Sequence, residues 1–144
     1  MNVSAMDISE EALKTAKENA ELNQVEMQFI HSDILNVKNI ENKWDIIVSN
    51  PPYIPASEHR EMDKNVTENE PHLALFVQDD DPLLFYRKIA EFANNHLTDN
   101  GRLYFEIHKD QGENCKNLLQ SLGFESVTLR KDISGNDRMI CAKL

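Results

Sequence analysis

The sequence predicts an α/β fold: a mostly parallel sheet flanked by helices, with an antiparallel hairpin at its C-terminus. Three observations carry this. The first is the apolar run Trp44-Asp45-Ile46-Ile47-Val48-Ser49, which ends abruptly in Asn50-Pro51-Pro52-Tyr53. Its β-branched residues read as a strand buried on both faces, the kind found in parallel sheets. Pro51 and Pro52 have no N–H to give a ladder, so the strand must stop there. The second is the alternation of short strand patterns with helical ones along the chain. The third is a pair of strand patterns, 126–130 and 138–143, around Lys131-Asp132-Ile133-Ser134-Gly135-Asn136-Asp137. That connection is too short for a crossover helix, so the pair is antiparallel.

The elements follow in order. Residues 2–6 are compatible with a strand that ends at Asp7. Ser9 then reads as an N-cap, with Glu10 and Glu11 in the first turn, where the helix dipole favours anions. Ala12, Leu13, Ala16 and Ala20 recur on one face of that helix. Residues 27–30 form a second strand, followed by His31-Ser32-Asp33-Ile34, and a polar connection leads into the strand at Trp44. Residues 54–81 lose periodicity and carry eight acids against Arg60 and Lys64. A stretch of this length without periodicity reads as a substrate-facing loop, anchored by the apolar part of Glu70-Pro71-His72-Leu73-Ala74-Leu75-Phe76. Asp81-Pro82 reads as a helix start, a capping acid with proline at the first helical position. The helix then runs to about Leu97, Asn100-Gly101 makes a turn, and 102–107 forms a strand. Residues 112–122 form another helix, with Cys115, Leu118, Leu119 and Leu122 in a stripe and Gly123 closing it.

At 144 residues the chain is a single domain, 1–144, large enough to bury a core. With 28% charged and 40% hydrophobic residues, it has an ordinary soluble composition. No apolar stretch approaches a bilayer span, and Met1-Asn2-Val3-Ser4 does not begin a signal peptide. Cys115 and Cys141 lack metal spacing and read as reduced thiols of a cytoplasmic protein. The five histidines do not cluster at metal-ligand spacing and read as surface or loop residues. A net charge of −10, from 25 acids against 15 bases with no basic run, argues against nucleic acid as a direct partner.

In an open parallel sheet, ligands sit outside the carboxyl ends of the strands. Four stretches emerge there. Asp7 reads either as a helix-entry residue or as an acceptor for ribose hydroxyls, and its place ahead of the other signals favours the second. Asp33 reads either as a turn acid or as an acceptor for an adenine amino group, with Ile34 packing on the ring. Asn50 offers an amide that accepts and donates, Pro51 a free carbonyl, and Tyr53 a ring face with a polar tip. Together they can hold a planar NH2 group by accepting its hydrogens and stacking beside it. His108 lies at the carboxyl end of the strand 102–107.

The Asn50-Pro51-Pro52-Tyr53 turn resembles the signature of methyltransferases that use S-adenosylmethionine to methylate an amide or exocyclic amino nitrogen. The whole chain resembles the glutamine methyltransferases of peptide chain release factors. The matching stretches are Met6-Asp7-Ile8-Ser9 with Ala12, Ser32-Asp33, and Asp45 through Pro55. Glu70-Pro71 with Ala74-Leu75, Phe105-Glu106-Ile107 with Gln111-Gly112, and Gly123-Phe124 continue the match. Arg130-Lys131-Asp132 and Gly135-Asn136-Asp137-Arg138 complete it.

The resemblance implies a Rossmann-like methyltransferase fold and S-adenosylmethionine as cofactor. It assigns cofactor binding to Asp7, Asp33, Ile34 and Asn50, and the catalytic turn to Asn50, Pro51, Pro52 and Tyr53. It implies a release factor as protein substrate, with no direct nucleic acid, membrane or metal. The family's N-terminal helical domain, first strand and Gly-rich loop have no match here, since the four glycines are 101, 112, 123 and 135. The chain is therefore expected to be a piece of the enzyme, inactive alone and prone to self-associate through unpaired strand edges. Two other readings stand beside this one: an adenine or cytosine amino methyltransferase, and a non-catalytic remnant.

Overall fold

The computed structural model describes residues 2–37, 40–52, 54–55, 76–77 and 81–144. The chain divides into two compact units, Met1–Ile40 and Glu41–Leu144.

The first unit is a βαβ crossover. Strand β1 (Ser4–Asp7) leads into helix α1 (Glu10–Leu22), and strand β2 (Gln28–His31) returns parallel to β1, with Asp7 opposite His31. Ser9 caps α1 as its sequence position predicts, its hydroxyl accepting the Ala12 N–H at 3.2 Å. The helix ends through Gln24, whose φ of 56° turns the chain so that the Val25 N–H reaches the Ala20 carbonyl at 2.9 Å. A single turn of 3-10 helix, Ile34–Asn36, follows β2. Burial in this unit is slight: Ala20 is the one buried residue of α1.

The second unit carries the core. Strand β3 (Trp44–Ser49) is followed by two short strands, β4 (Ile54–Pro55) and β5 (Phe76–Val77), which pair in parallel with each other. Helix α2 (Leu84–His96), strand β6 (Leu97–Glu106), helix α3 (Gly112–Ser121) and strands β7 (Ser126–Lys131) and β8 (Asp137–Lys143) complete it. The sheet order is β3-β6-β8-β7, with β3 parallel to β6 and β8 antiparallel to both β6 and β7. The antiparallel hairpin is as the sequence predicts.

Residues paired across strands share a face, so the register sorts the sheet into two sides. Leu103, Phe105, Ile140 and Ala142 lie on one side and are all buried. Helix α2 covers it with Tyr86, whose ring meets Phe105 edge-on at 5.3 Å, and with Phe92 against Trp44 at 5.8 Å. Helix α3 adds Cys115 and Leu119, also buried.

The other side departs from the sequence expectation. Ile46 and Val48 are 58% and 73% exposed, so β3 is not buried on both faces. The physical reason is that, among the described residues, β3 has a strand neighbour on one edge only and helices α2 and α3 lie over one face only.

Three further expectations are corrected. Asp81 does not cap α2: the helix begins at Leu84, and the Asp81 carboxylate is committed to the Arg87 guanidinium at 2.8 and 3.1 Å. Asn100-Gly101 is not a free turn but part of an irregularity within β6. The pairing jumps there from Trp44–Leu97 to Ile46–Arg102, and a Cβ on Gly101 would press on the Leu97 side chain and the Thr98 carbonyl. His96 is framework rather than surface, stacked on Phe92 at 4.2 Å within α2.

Candidate active site

Each unit presents a carboxyl edge of parallel strands. In the first unit, Asp7 ends β1 and Asp33 lies just beyond β2, so the two predicted acids emerge on one edge. Asp7 Oδ1 accepts the Ser9 N–H at 2.8 Å, and its backbone carbonyl accepts the Ser32 N–H at 3.0 Å. Among the described residues, Asp7 Oδ2 has no hydrogen-bond partner. Asp33 is more engaged: Oδ1 accepts the Leu35 N–H at 2.8 Å and Oδ2 accepts from Asn36 Nδ2 at 3.0 Å. These bonds start the 3-10 turn and bring Ile34, half-buried, to the same edge.

His31 is a residue whose place at this edge the sequence did not reveal. Its Nε2 donates to the Ile8 carbonyl at 2.8 Å, and its Nδ1 lies 3.4 Å from the Glu10 carboxylate. It thereby fixes the chain between Asp7 and α1.

In the second unit, Ser49 pairs with Phe105, so Asn50 and the end of β6 lie side by side. Pro51 is buried and Pro52 half-buried, which holds the turn rigid, while Asn50 is exposed. Among the described residues, the Asn50 side-chain amide has no hydrogen-bond partner. Its geometry is that of a polar group held out from a stiff turn. Tyr53 lies outside the described residues, as does most of the predicted loop 54–81.

Behind this edge sits Tyr86, 1% exposed, whose hydroxyl donates to the Glu106 carbonyl and accepts the His108 N–H, each at 3.4 Å. The His108 side chain is 13% exposed, so it too is less of a surface residue than its sequence position suggests. The β7–β8 turn closes the same edge, since Ile107 N–H donates to the Arg138 carbonyl at 2.9 Å. Asp132 organises that turn, accepting from the Ser134 and Asn136 N–H groups at 2.9 and 3.0 Å and facing Arg138 Nε at 3.5 Å. The N–H of Asn136 is the main cause that holds the Asp132 carboxyl below its ordinary range. Among the described residues, no group of three or more His, Cys, Asp or Glu side chains could hold a metal ion.

A family model described as "Methyltransferase small domain" matches residues 1–74, more than half of the chain. The chain belongs to this family. Curated relatives of this methyltransferase small domain include the release factor glutamine methyltransferase of Flavobacterium psychrophilum, 53% identical over 139 residues. That match covers 96% of this chain and 49% of the relative. The enzyme of the same description from Lactococcus lactis subsp. lactis is 49% identical over 143 residues, covering 99% of this chain and 52% of the relative. The chain thus spans about half the length of the curated relatives it matches.

Solved structures agree on the fold. A methyltransferase from Pyrococcus furiosus superposes with a TM-score of 0.68 at 19% identity, over 98% of this chain and 61% of that one. A ribosomal protein L11 methylase from Lactobacillus delbrueckii subsp. bulgaricus gives 0.65 at 20% identity, over 100% and 59%. The fold is the Rossmann-like methyltransferase fold that the resemblance implies.

Proposed function

We propose that this methyltransferase small domain serves the transfer of a methyl group from S-adenosylmethionine to a glutamine side-chain amide nitrogen in a peptide chain release factor. The observation that carries the reading is Asn50, an exposed amide without a partner among the described residues, on a rigid Pro-Pro turn at the carboxyl end of β3. The likeness to release factor glutamine methyltransferases over nearly all of the chain supports the choice of substrate.

The cofactor fits the first unit's edge. Asp7 Oδ2 is open to accept from a ribose hydroxyl, as acids after a strand do in nucleotide-binding folds. Each Asp33 oxygen accepts one hydrogen bond already, and a carboxylate oxygen has a second lone pair for an adenine amino group. Ile34 supplies an apolar surface for the ring. When bound, S-adenosylmethionine supplies a methyl group on a sulfonium. The reading takes residues 1–144 as one methyltransferase domain.

What the chain's own residues do is mostly positioning. An amide nitrogen is a poor nucleophile because its lone pair is delocalised into the carbonyl. The substrate NH2 donates one hydrogen to Asn50 Oδ1 and the other to the Pro51 carbonyl, which aims the nitrogen and raises its electron density. Fixed acceptors of this kind lower the barrier by orientation and by a preorganised polar environment. The nitrogen that takes the methyl group would shed one proton to water, because Asn50 Oδ1 and the Pro51 carbonyl are amide oxygens that accept hydrogen bonds but are too weakly basic to keep it. Tyr53 packs against the flat amide in this reading.

The partner is a protein in the cytoplasm. A duplex is disfavoured by the net charge of −10. The test joins this chain to the half of the Flavobacterium psychrophilum relative that it does not match. The joined protein is then given methyl-labelled S-adenosylmethionine with either a release factor or DNA. Label on a release factor glutamine supports the reading; label on DNA bases, or none on either, contradicts it.

A further inference from the structure

We propose that His31 is a positioning residue for the cofactor: through the Ile8–Ser9 peptide it aims the Asp7 carboxylate at the ribose hydroxyls. The inference rests on the reading that Asp7 accepts from the ribose, and it adds the group that fixes the acid's orientation.

The ladder of the first unit stops where the acid begins. Asp7 and His31 are register partners at the ends of β1 and β2, and the rung beyond them runs from the Ser32 N–H to the Asp7 carbonyl at 3.0 Å. Helix α1 begins at Glu10, so Ile8 and Ser9 link strand to helix. Ile8 is 55% exposed, so packing of its side chain does little to hold that link. Hydrogen bonds hold it instead.

Both polar groups of the single peptide unit between Ile8 and Ser9 are taken. Its carbonyl lies 2.8 Å from His31 Nε2, and its N–H donates to Asp7 Oδ1 at 2.8 Å. A carbonyl only accepts, so Nε2 carries the proton in this contact. In a planar trans peptide the C=O and N–H point in opposite directions. Fixing the oxygen on the imidazole therefore fixes where the N–H points, and with it the setting of the Asp7 carboxylate. Linked hydrogen bonds also polarise one another, which strengthens this N–H as a donor. The Ser9 hydroxyl and carbonyl serve α1, accepting from Ala12 and Leu13, and leave this peptide unit to His31. With Oδ1 held, Oδ2 is the oxygen turned to a ribose hydroxyl. His31 Nδ1 faces the Glu10 carboxylate at 3.4 Å, but both side chains are more than half exposed, so that contact adds little. The Nε2 bond carries the effect.

The test is a ligand-truncation cycle in this chain joined to the unmatched half of the Flavobacterium psychrophilum relative. Calorimetric titration compares S-adenosylhomocysteine with its 2′,3′-dideoxy counterpart on the parent, His31→Leu and His31→Gln. His31→Leu should weaken S-adenosylhomocysteine about tenfold, the scale of disturbing a hydrogen bond to a charged group, and the dideoxy compound less than about twofold. His31→Gln, whose Nε2 keeps a donor for the Ile8 carbonyl, should restore most of the affinity. In the 144-residue chain itself, the Ser9 amide proton resonance should move upfield in His31→Leu, as its bond to Asp7 lengthens, and stay in place in His31→Gln. Equal losses for the two ligands would overturn the inference alone. So would a His31→Gln variant no better than His31→Leu, or a Ser9 resonance unmoved in His31→Leu. A parent that binds neither ligand, or both equally, would instead overturn the ribose reading of Asp7 and this inference with it.

Discussion

In the proposed reading Asn50 is the residue on which the chemistry turns, and its substitution is the most informative. In the chain completed with the family's other half, Asn50→Ala should lower kcat about a hundredfold, the scale of losing one preorganised polar contact. Isothermal titration should show S-adenosylmethionine binding less affected than turnover. Tyr86→Phe keeps the ring on Phe105 but removes the hydroxyl that bridges Glu106 and His108. It should lower unfolding free energy by about 1–2 kcal/mol in denaturant titration, because buried backbone groups lose a partner. Asp132 gives a pH prediction. Its folded pKa is depressed, chiefly by the Asn136 N–H and also by Ser134 and Arg138. Its contribution is therefore present above the unfolded aspartate pKa of about 3.9 and is lost as pH falls through the lower folded value. Asp132→Asn should flatten that acid limb of the thermal stability profile and leave the neutral limb less changed. The places of Asn50 and Asp7 at the ends of β3 and β1 were legible in the sequence because short polar residues stop apolar strands. The roles of Tyr86 and His31 were not, since their partners are set by register between distant segments.

Among elements, the order β3-β6-β8-β7 is set by pairing between distant segments, whereas the hairpin and the cap of α1 follow from local signals. Ser9 shows this: a short hydroxyl ahead of two acids satisfies the first free N–H groups of α1. Asp81 shows the limit. It looks like a cap, but Arg87 lies within reach after the turn at 82–83, and the bidentate guanidinium is the main partner of its carboxylate, ahead of the Leu83 N–H. The strand at Trp44 shows another. Its β-branched run signals burial on both faces, yet which faces are covered depends on helices that other segments supply. Helix α3 begins at Gly112, where a Cβ would run into the Asp137 carboxylate and Leu129. Gly112→Ala should therefore displace the Asp137 side chain and disturb its 2.7 Å contact with Lys131, giving a small fall in Tm that calorimetry checks. A variant as stable as the parent would show that the hairpin yields without cost.

At the scale of the molecule, a chain of net charge −10 carries a methyltransferase small domain in two compact units. It matches about half of the length of release factor glutamine methyltransferases. Self-association through unpaired strand edges is the sequence expectation, and light scattering at several concentrations checks it. Among the described residues, no helix is long and apolar enough to cross a membrane. The central claim is that the Asn-Pro-Pro turn on β3 holds a glutamine amide for methylation. Its most direct measurement is mass spectrometry of a release factor after incubation with S-adenosylmethionine and the completed chain, beside the same chain carrying Asn50→Ala. The account predicts one added methyl group on a glutamine side-chain nitrogen with the parent and about a hundredfold slower addition with the variant. Equal rates for the two, or methyl groups on any other residue, would contradict it.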